Sequence, residues 1–434
     1  MNAACPLLLT MILGWLSFEL IFRKSPWGFL DLCVAFIFGM GLSVELAFYQ
    51  IFFWNTFDPG KLIIIHFLLI GLMACIRTLS VRPSYIVFPR SNLTIVPFVL
   101  CFLFFMYLVY HCSINNLYGD WDAWAFWNFH AKQIFTSGIN WKDMYTYSFN
   151  VKHPCFLSYW IVWQWSWTGM TLNVPMGDTD LFFMLAVSIL VYGLIEWTDN
   201  VKASFLAGIF LCSIPLFLVH SVSQYADILF VIFSLTTMLM LLRMFKNPVK
   251  SSIVWTCALL GFMTLVKDEA IVASLILMGF VLIFLNRRSR SSFILAAAVF
   301  LLASMPTIMT KHWLMGTYQG QINQMEVKYL FEPDRYATIL KYYGGIFLKN
   351  TWGGIFIIPA WIFFQGMMGQ LDEKAKFWAK FLALFCTVFF LLYGALKYQL
   401  DWRLATTADR MIYEVLPAFI FLIFYILFRK MGKE

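Results

Sequence analysis

Apolar residues in this chain cluster in runs of ~17–25, the length an α-helix needs to cross ~30 Å of hydrocarbon. The runs define candidate spans at 6–22, 28–52, 62–79, 94–112, 180–197, 203–220, 226–245, 252–266, 269–286, 292–310, 352–368, 378–396 and 411–428. Polar stretches at 113–154, 311–350 and 397–410 interrupt them. A β-barrel would show short alternating segments instead. The predicted fold class is therefore all-α, a polytopic transmembrane helical bundle of about 13 spans with short interfacial helices. Residues 1–22 lack a basic n-region and no A-x-A site follows, so they read as the first span rather than a cleaved signal.

Residues 155–170 (CFLSYWIVWQWSWTGM) are apolar but short and carry four tryptophans. Tryptophan favours the membrane interface. If this segment crossed, the sidedness of every later loop would invert. Charge distribution decides the matter. Without a crossing, Arg23/Lys24, Arg77/Arg82/Arg90, Arg243/Lys246/Lys250, Arg287/Arg288/Arg290, Lys374/Lys376/Lys380 and Arg429/Lys430/Lys433 all share one side, as the positive-inside rule requires. The segment is accordingly expected to be interfacial or re-entrant. The N-terminus is then extracytoplasmic and the C-terminus cytoplasmic. The three polar stretches, Asp227 and the Lys267-Asp268-Glu269 triplet fall together on the extracytoplasmic side.

Composition narrows the class. Hydrophobic residues make up 61% of the chain and charged ones 12%, against about 25% charged in a soluble domain, so a water-exposed surface is excluded. The net charge of +8 sits in short clusters between apolar runs, with no basic stripe interleaved with aromatics, and no nucleic-acid partner is expected. None of the nine cysteines forms a CxxC pair, which excludes the common zinc and redox motifs. Cys112 and Cys155 flank one polar loop and could be bridged there; two free thiols is the simpler reading.

Candidate chemistry begins at Gly119-Asp120-Trp121-Asp122-Ala123-Trp124, just after span 94–112. An apolar surrounding disfavours the charged form of a carboxylate, which suits a general base acting on an alcohol or amine. The alternative is an aromatic anchor whose carboxylates face water. Ala123 to Lys132 reads as a short amphipathic helix, with Trp124, Trp127 and Ala131 at i, i+3 and i+7. His153-Pro154 opens the tryptophan-rich segment, where Pro is a common helix starter. Asp227 stands at a helix start, a capping position. Lys267, Asp268 and Glu269 join two apolar runs with almost no loop, and ionisable groups at such depth are costly and tend to mark sites. Arg403 and Arg410 precede the last run; the planar guanidinium fork suits phosphate, or else bulk lipid headgroups.

Taken in order, these positions resemble the GT-C superfamily of polytopic glycosyltransferases, which includes protein O-mannosyltransferases and the lipid A aminoarabinose transferase. Asp122, with Asp120 beside it, matches the family's Asp in the first large extracytoplasmic loop. His153-Pro154 matches its His-Pro-Pro, with Cys155 replacing the second Pro. Pro215, Ser223 and Asp227 match a Pro, polar stretch and helix-starting Asp. Gly261, Thr264, Lys267 and Glu269 correspond to a Gly–Thr–Lys–acid junction in which Lys267 is displaced by two positions. Asp409, Arg410 and Pro417 fit a late Asp-Arg before a Pro-containing helix. The likeness runs from Asn115 to Phe428, dividing the chain into N-terminal helices of unassigned role (1–93) and a catalytic region (94–434).

The resemblance implies an inverting transfer from a polyprenyl-phosphate-linked sugar to a lipid, glycan or protein acceptor among the membrane lipids. Asp122 and Asp120 would be catalytic. Asp227, His153, Lys267, Glu269 and Trp124 would bind substrate, and Arg403 and Arg410 the lipid phosphate. Some relatives use a divalent metal; the carboxylates here lack metal-ligand spacing, so no cofactor is expected. The implied location is the bacterial cytoplasmic membrane, with the site facing outward. The competing class is a transporter or lipid flippase, which predicts mid-membrane charges on broken helices and an internal repeat. No repeat is visible, and the charges gather on one face.

Overall fold

A computed structural model of the protein describes residues 4–22, 28–80, 96–138, 154–314, 326–349, 371–396 and 400–429. Among these residues the regular elements are all helical. The α-helices are α1 (Ala4–Phe22), α2 (Phe29–Trp54), α3 (Pro59–Ser80), α4 (Val96–Asn115), α5 (Asn128–Thr136), α6 (Phe156–Thr168), α7 (Asn173–Thr198), α8 (Val201–Cys212), α9 (Pro215–Ser221), α10 (Asp227–Lys246), α11 (Lys250–Met263), α12 (Asp268–Asn286), α13 (Arg290–Met309), α14 (Pro333–Lys349), α15 (Glu373–Ala395) and α16 (Leu400–Phe428). Nine helices among the described residues are long and apolar enough to cross a membrane, or ten if α8 and α9 form one span. The chain is a multi-pass membrane protein. The apolar parts of α4 and α11 are shorter, and the expected span 352–368 lies outside the described residues.

Two expectations change. The segment expected to cross at 203–220 is two helices meeting at 70°. Pro215 lacks an N–H and its ring crowds the preceding turn. Ile214, just before it, is extended at φ −79°, ψ 112°, as a residue before proline prefers. The polar stretch 397–410 is not a loop from residue 400 onward, because α16 starts there. Leu404, Ala408 and Met411 are buried, and their i, i+4, i+7 spacing lets this polar-looking turn cover an apolar face.

The tryptophan-rich segment forms α6, whose 13 residues extend about 20 Å, short of the hydrocarbon thickness. Its Phe156 N–H donates to Leu265 O (2.9 Å), just past the end of α11. Beyond it, Thr179 in α7 meets Ser113 near the end of α4 at 2.7 Å. The flanking elements thus meet one end of the bundle. The tryptophans, however, are core rather than surface anchors. Trp160 and Trp163 are wholly buried, donating to Asp178 (3.1 Å) and Thr10 (3.1 Å), as buried indole N–H groups usually do.

One hydrophobic core runs from Leu9 to Ile426. The first two helices cross so closely that a Cβ at Gly14 would lie 1.8 Å from Ala35 O, and one at Gly39 2.0 Å from Thr10 O. Small residues permit such backbone contact between membrane helices. At the end away from the Ser113–Thr179 contact, Arg243 ties α10 to Asp31 of α2 (2.6 Å) and Glu196 of α7 (2.7 Å).

Candidate functional site

The opposite end of the bundle holds a denser ionic cluster. Its scaffold is a pair of interlocked connections, 116–120 and 222–226. Asp120 N–H donates to Ser223 O (3.0 Å). The Gln224 amide donates to Asn116 O and Leu117 O, both at 3.1 Å, and accepts from Asn128 at 3.0 Å. Gly119 makes the turn at φ +69°, and a Cβ there would sit 2.7 Å from Ser223 O. Only glycine meets both demands at low cost. Residues 123–127 follow as one π-helical turn leading into α5, so the amphipathic helix expected at 123–132 begins wider than an α-helix. π-turns recur at functional sites.

This scaffold presents Asp122 to Arg410. The Arg410 guanidinium donates through Nη1 to Asp122 and through Nε to Asp227 Oδ2 at 2.8 Å. Its Cζ lies 4.6 Å above the Tyr225 ring, a cation–π arrangement. Tyr225 also accepts the Asp122 N–H at 3.4 Å. Asp227 is wholly buried at the first turn of α10, where the helix dipole favours an anion. Its other oxygen takes the Lys267 ammonium.

Lys267 sits in extended backbone between α11 and α12 and is nearly buried. It donates to Asp227 and Glu414, with Glu269 at 3.5 Å. Burial disfavours its charge, but Asp227, Glu269 and Glu414 outweigh that, holding its proton more tightly than an ordinary lysine's. Burial, followed by the Asp122 charge, pushes the Tyr225 hydroxyl up to about 12. The bent α8–α9 unit adds His220, 3.3 Å from Asp409.

Of the residues expected at a site, Asp122, Asp227, Lys267, Glu269 and Arg410 form this continuous cluster. Asp120 is one step outside it: exposed, with Asn116 as its side-chain partner at 3.4 Å. Trp124 is exposed at the rim, edge-on to Trp121 with centroids 4.4 Å apart. Arg403 is two turns before Arg410 on α16, its Cζ 5.3 Å from the Trp402 ring. His153 lies outside the described residues; its neighbour Pro154 lines a cavity with Cys155, Leu265, Thr307 and Lys311.

Sequence reasoning missed Glu414, Tyr225 and His220, the partner of Asp409. Glu414 carried a readable signal, an acid inside the apolar run 411–428 and one turn beyond Arg410. Among the described residues no group of three or more His, Cys, Asp or Glu is arranged to hold a metal ion; around Lys267 the carboxylates converge on the ammonium. Chemically, the cluster offers a partly accessible carboxylate, a guanidinium next to it and a buried carboxylate–ammonium pair behind them.

The family model of dolichyl-phosphate-mannose-protein mannosyltransferases matches residues 152–309, which include Asp227, Lys267 and Glu269. No curated protein and no solved structure matches the chain.

Proposed function

We propose that this chain, which is similar to the dolichyl-phosphate-mannose-protein mannosyltransferase family over residues 152–309, is a GT-C-like membrane glycosyltransferase that moves a sugar from a polyprenyl-phosphate donor to an extracytoplasmic acceptor, with Asp122 as the general base. The observation that carries the reading is the convergence of Asp122, Asp227, Lys267 and Arg410 from four distant parts of the sequence at one end of the bundle.

The chemistry follows from the arrangement. Asp122 takes the proton of an acceptor hydroxyl or amine. The freed lone pair attacks the anomeric carbon, the carbon–oxygen bond to phosphate breaks, and the lipid phosphate leaves with the electron pair. Negative charge thereby moves from the carboxylate to the phosphate. Preorganised cations stabilise such charge more effectively than water does; Arg410 is adjacent to the base, and Arg403 extends the same helix outward toward the lipid. Asp227 holds Arg410 in place from behind. Asp120 supports the loop, and Trp124 flanks the acceptor side. The short basic connectors support an extracytoplasmic site end, and the reading takes the membrane to be a bacterial cytoplasmic one.

The test is turnover of purified protein in lipid with polyprenyl-phosphate sugars. Asp122→Asn should lose roughly 10²- to 10⁴-fold, the usual worth of a positioned base, whereas Asp120→Asn should lose far less. Unchanged turnover in Asp122→Asn removes the base.

A further inference from the structure

The cluster holds four carboxylates, Asp122, Asp227, Glu269 and Glu414, against two cations, Arg410 and Lys267. It has no spare positive charge. Arg410 holds Asp227 on Nε and Asp122 on Nη1, so a phosphate that grips the Nη1–Nη2 edge in the bidentate manner of a guanidinium fork displaces the carboxylate on Nη1. Asp227 is not displaceable: its side chain has no exposed surface, it is backed by Lys267, and it stands at a helix N-terminus. Asp122 opens the π-helical turn with 19% of its side chain exposed, and among the described cations its partner is Arg410 alone.

From this geometry we infer that Arg410 is a latch: in the empty site it occupies the base Asp122, and the donor phosphate releases that base by taking Arg410 for itself. The inference rests on the transferase reading above and deepens it. A carboxylate oxygen engaged by a guanidinium is a poor proton acceptor, so the base becomes competent only once the donor is seated. Binding is therefore ordered, donor before acceptor. Arg410 keeps its Nε contact to Asp227 throughout, so only the Nη edge changes partner. The same guanidinium then follows the charge as it passes from Asp122 to the departing phosphate. The latch also guards the site, because no acceptor or water is activated while the donor is absent.

The proposal makes a counter-intuitive prediction. Removing the base should tighten donor binding, because Arg410 is no longer pre-occupied. The affinity of a site that is mostly in a closed state is reduced by the closed fraction. With Arg410 engaged about nine-tenths of the time, Asp122→Asn should bind a synthetic polyprenyl monophosphate roughly tenfold more tightly than wild type. The measurement uses purified full chain in neutral phosphatidylcholine nanodiscs. Asp120→Asn removes the same charge from the same segment without touching Arg410, and its affinity should match wild type. In an Arg410→Gln background the effect of Asp122→Asn should vanish. Equal tightening by both Asn variants would reduce the effect to bulk charge and overturn the latch. Unchanged or weaker binding by a folded Asp122→Asn variant would also overturn it. A second measurement needs no variant: carbodiimide labelling of Asp122 in wild type, read by mass spectrometry, should rise when the polyprenyl monophosphate is added. Failure to rise counts against the latch. If neither wild type nor variant binds the probe, the donor assignment itself fails, a result distinct from binding without tightening.

Discussion

Arg410 and Glu414 stand one turn apart on the last helix and grip opposite partners of one ion network, Arg410 holding Asp227 and Glu414 holding Lys267. Since Lys267 also binds Asp227, the four side chains tie α16, α10 and the α11–α12 junction together at a single point. The pairs are buried, so each charge depends on its partner rather than on water.

Breaking this network at one member should cost more than removing a matched pair. Lys267→Met leaves Asp227 and Glu414 buried with one cation fewer and should destabilise by about 3–5 kcal/mol. Adding Glu414→Leu should recover part of that loss, with a coupling energy of roughly 1–3 kcal/mol. Thermal unfolding in detergent across the four members of the cycle checks both. Additive effects would show that the contact carries no coupling.

Gly119→Ala tests the loop that presents Asp122. At φ +69° and with Ser223 O so near, the new methyl has to displace the loop. A shift of about 1 Å at a reacting group can cost ~10²-fold in rate. The expected result is a large fall in kcat with the unfolding midpoint nearly unchanged, since the loop lies at the bundle's rim.

Gly39→Leu tests the α1–α2 crossing. Overpacking ordinarily costs about 1–3 kcal/mol; here the clash is with the backbone of Thr10, which cannot rotate away. The prediction is a drop in monodisperse protein on size exclusion and a lowered unfolding midpoint. Gly279→Leu, where a Cβ would meet nothing within 4 Å, should behave like wild type.

Tyr225 gives a pH prediction. Its folded value of about 12 exceeds the ordinary tyrosine value of 10. A group whose folded value is raised contributes its stability fully below the unfolded value and loses it as pH climbs through the folded one. Wild type should therefore lose stability between pH 10 and 12, and Tyr225→Phe should lose less over that window. Below pH 10 the two should show parallel pH dependence. Alkaline unfolding monitored by tryptophan fluorescence distinguishes them.

Hydropathy identified the helices because crossing hydrocarbon demands long apolar runs, a demand that each segment meets or fails by itself. The same holds for the short α6, whose 13 residues fall below the length of a crossing. The helix start at Leu400 was hidden, since Arg403, Thr406, Asp409 and Arg410 look like loop until Leu404, Ala408 and Met411 find a neighbour to cover. The break at Ile214–Pro215 was visible as a proline, but its 70° bend depends on what α9 packs against. Tryptophans 160 and 163 looked interfacial, because the sequence carries no sign that Asp178 and Thr10 wait inside as acceptors.

Asp122, Asp227, Lys267 and Arg410 were each recognisable as charges placed where charge is expensive. Which of them touch was decided by tertiary structure alone. Asp122 and Arg410 are 288 residues apart, and ion pairing is a short-range relation set by how helices pack, not by spacing along the chain. Glu414 enters the site for that reason, and Asp120, two residues from the base, stays out of it.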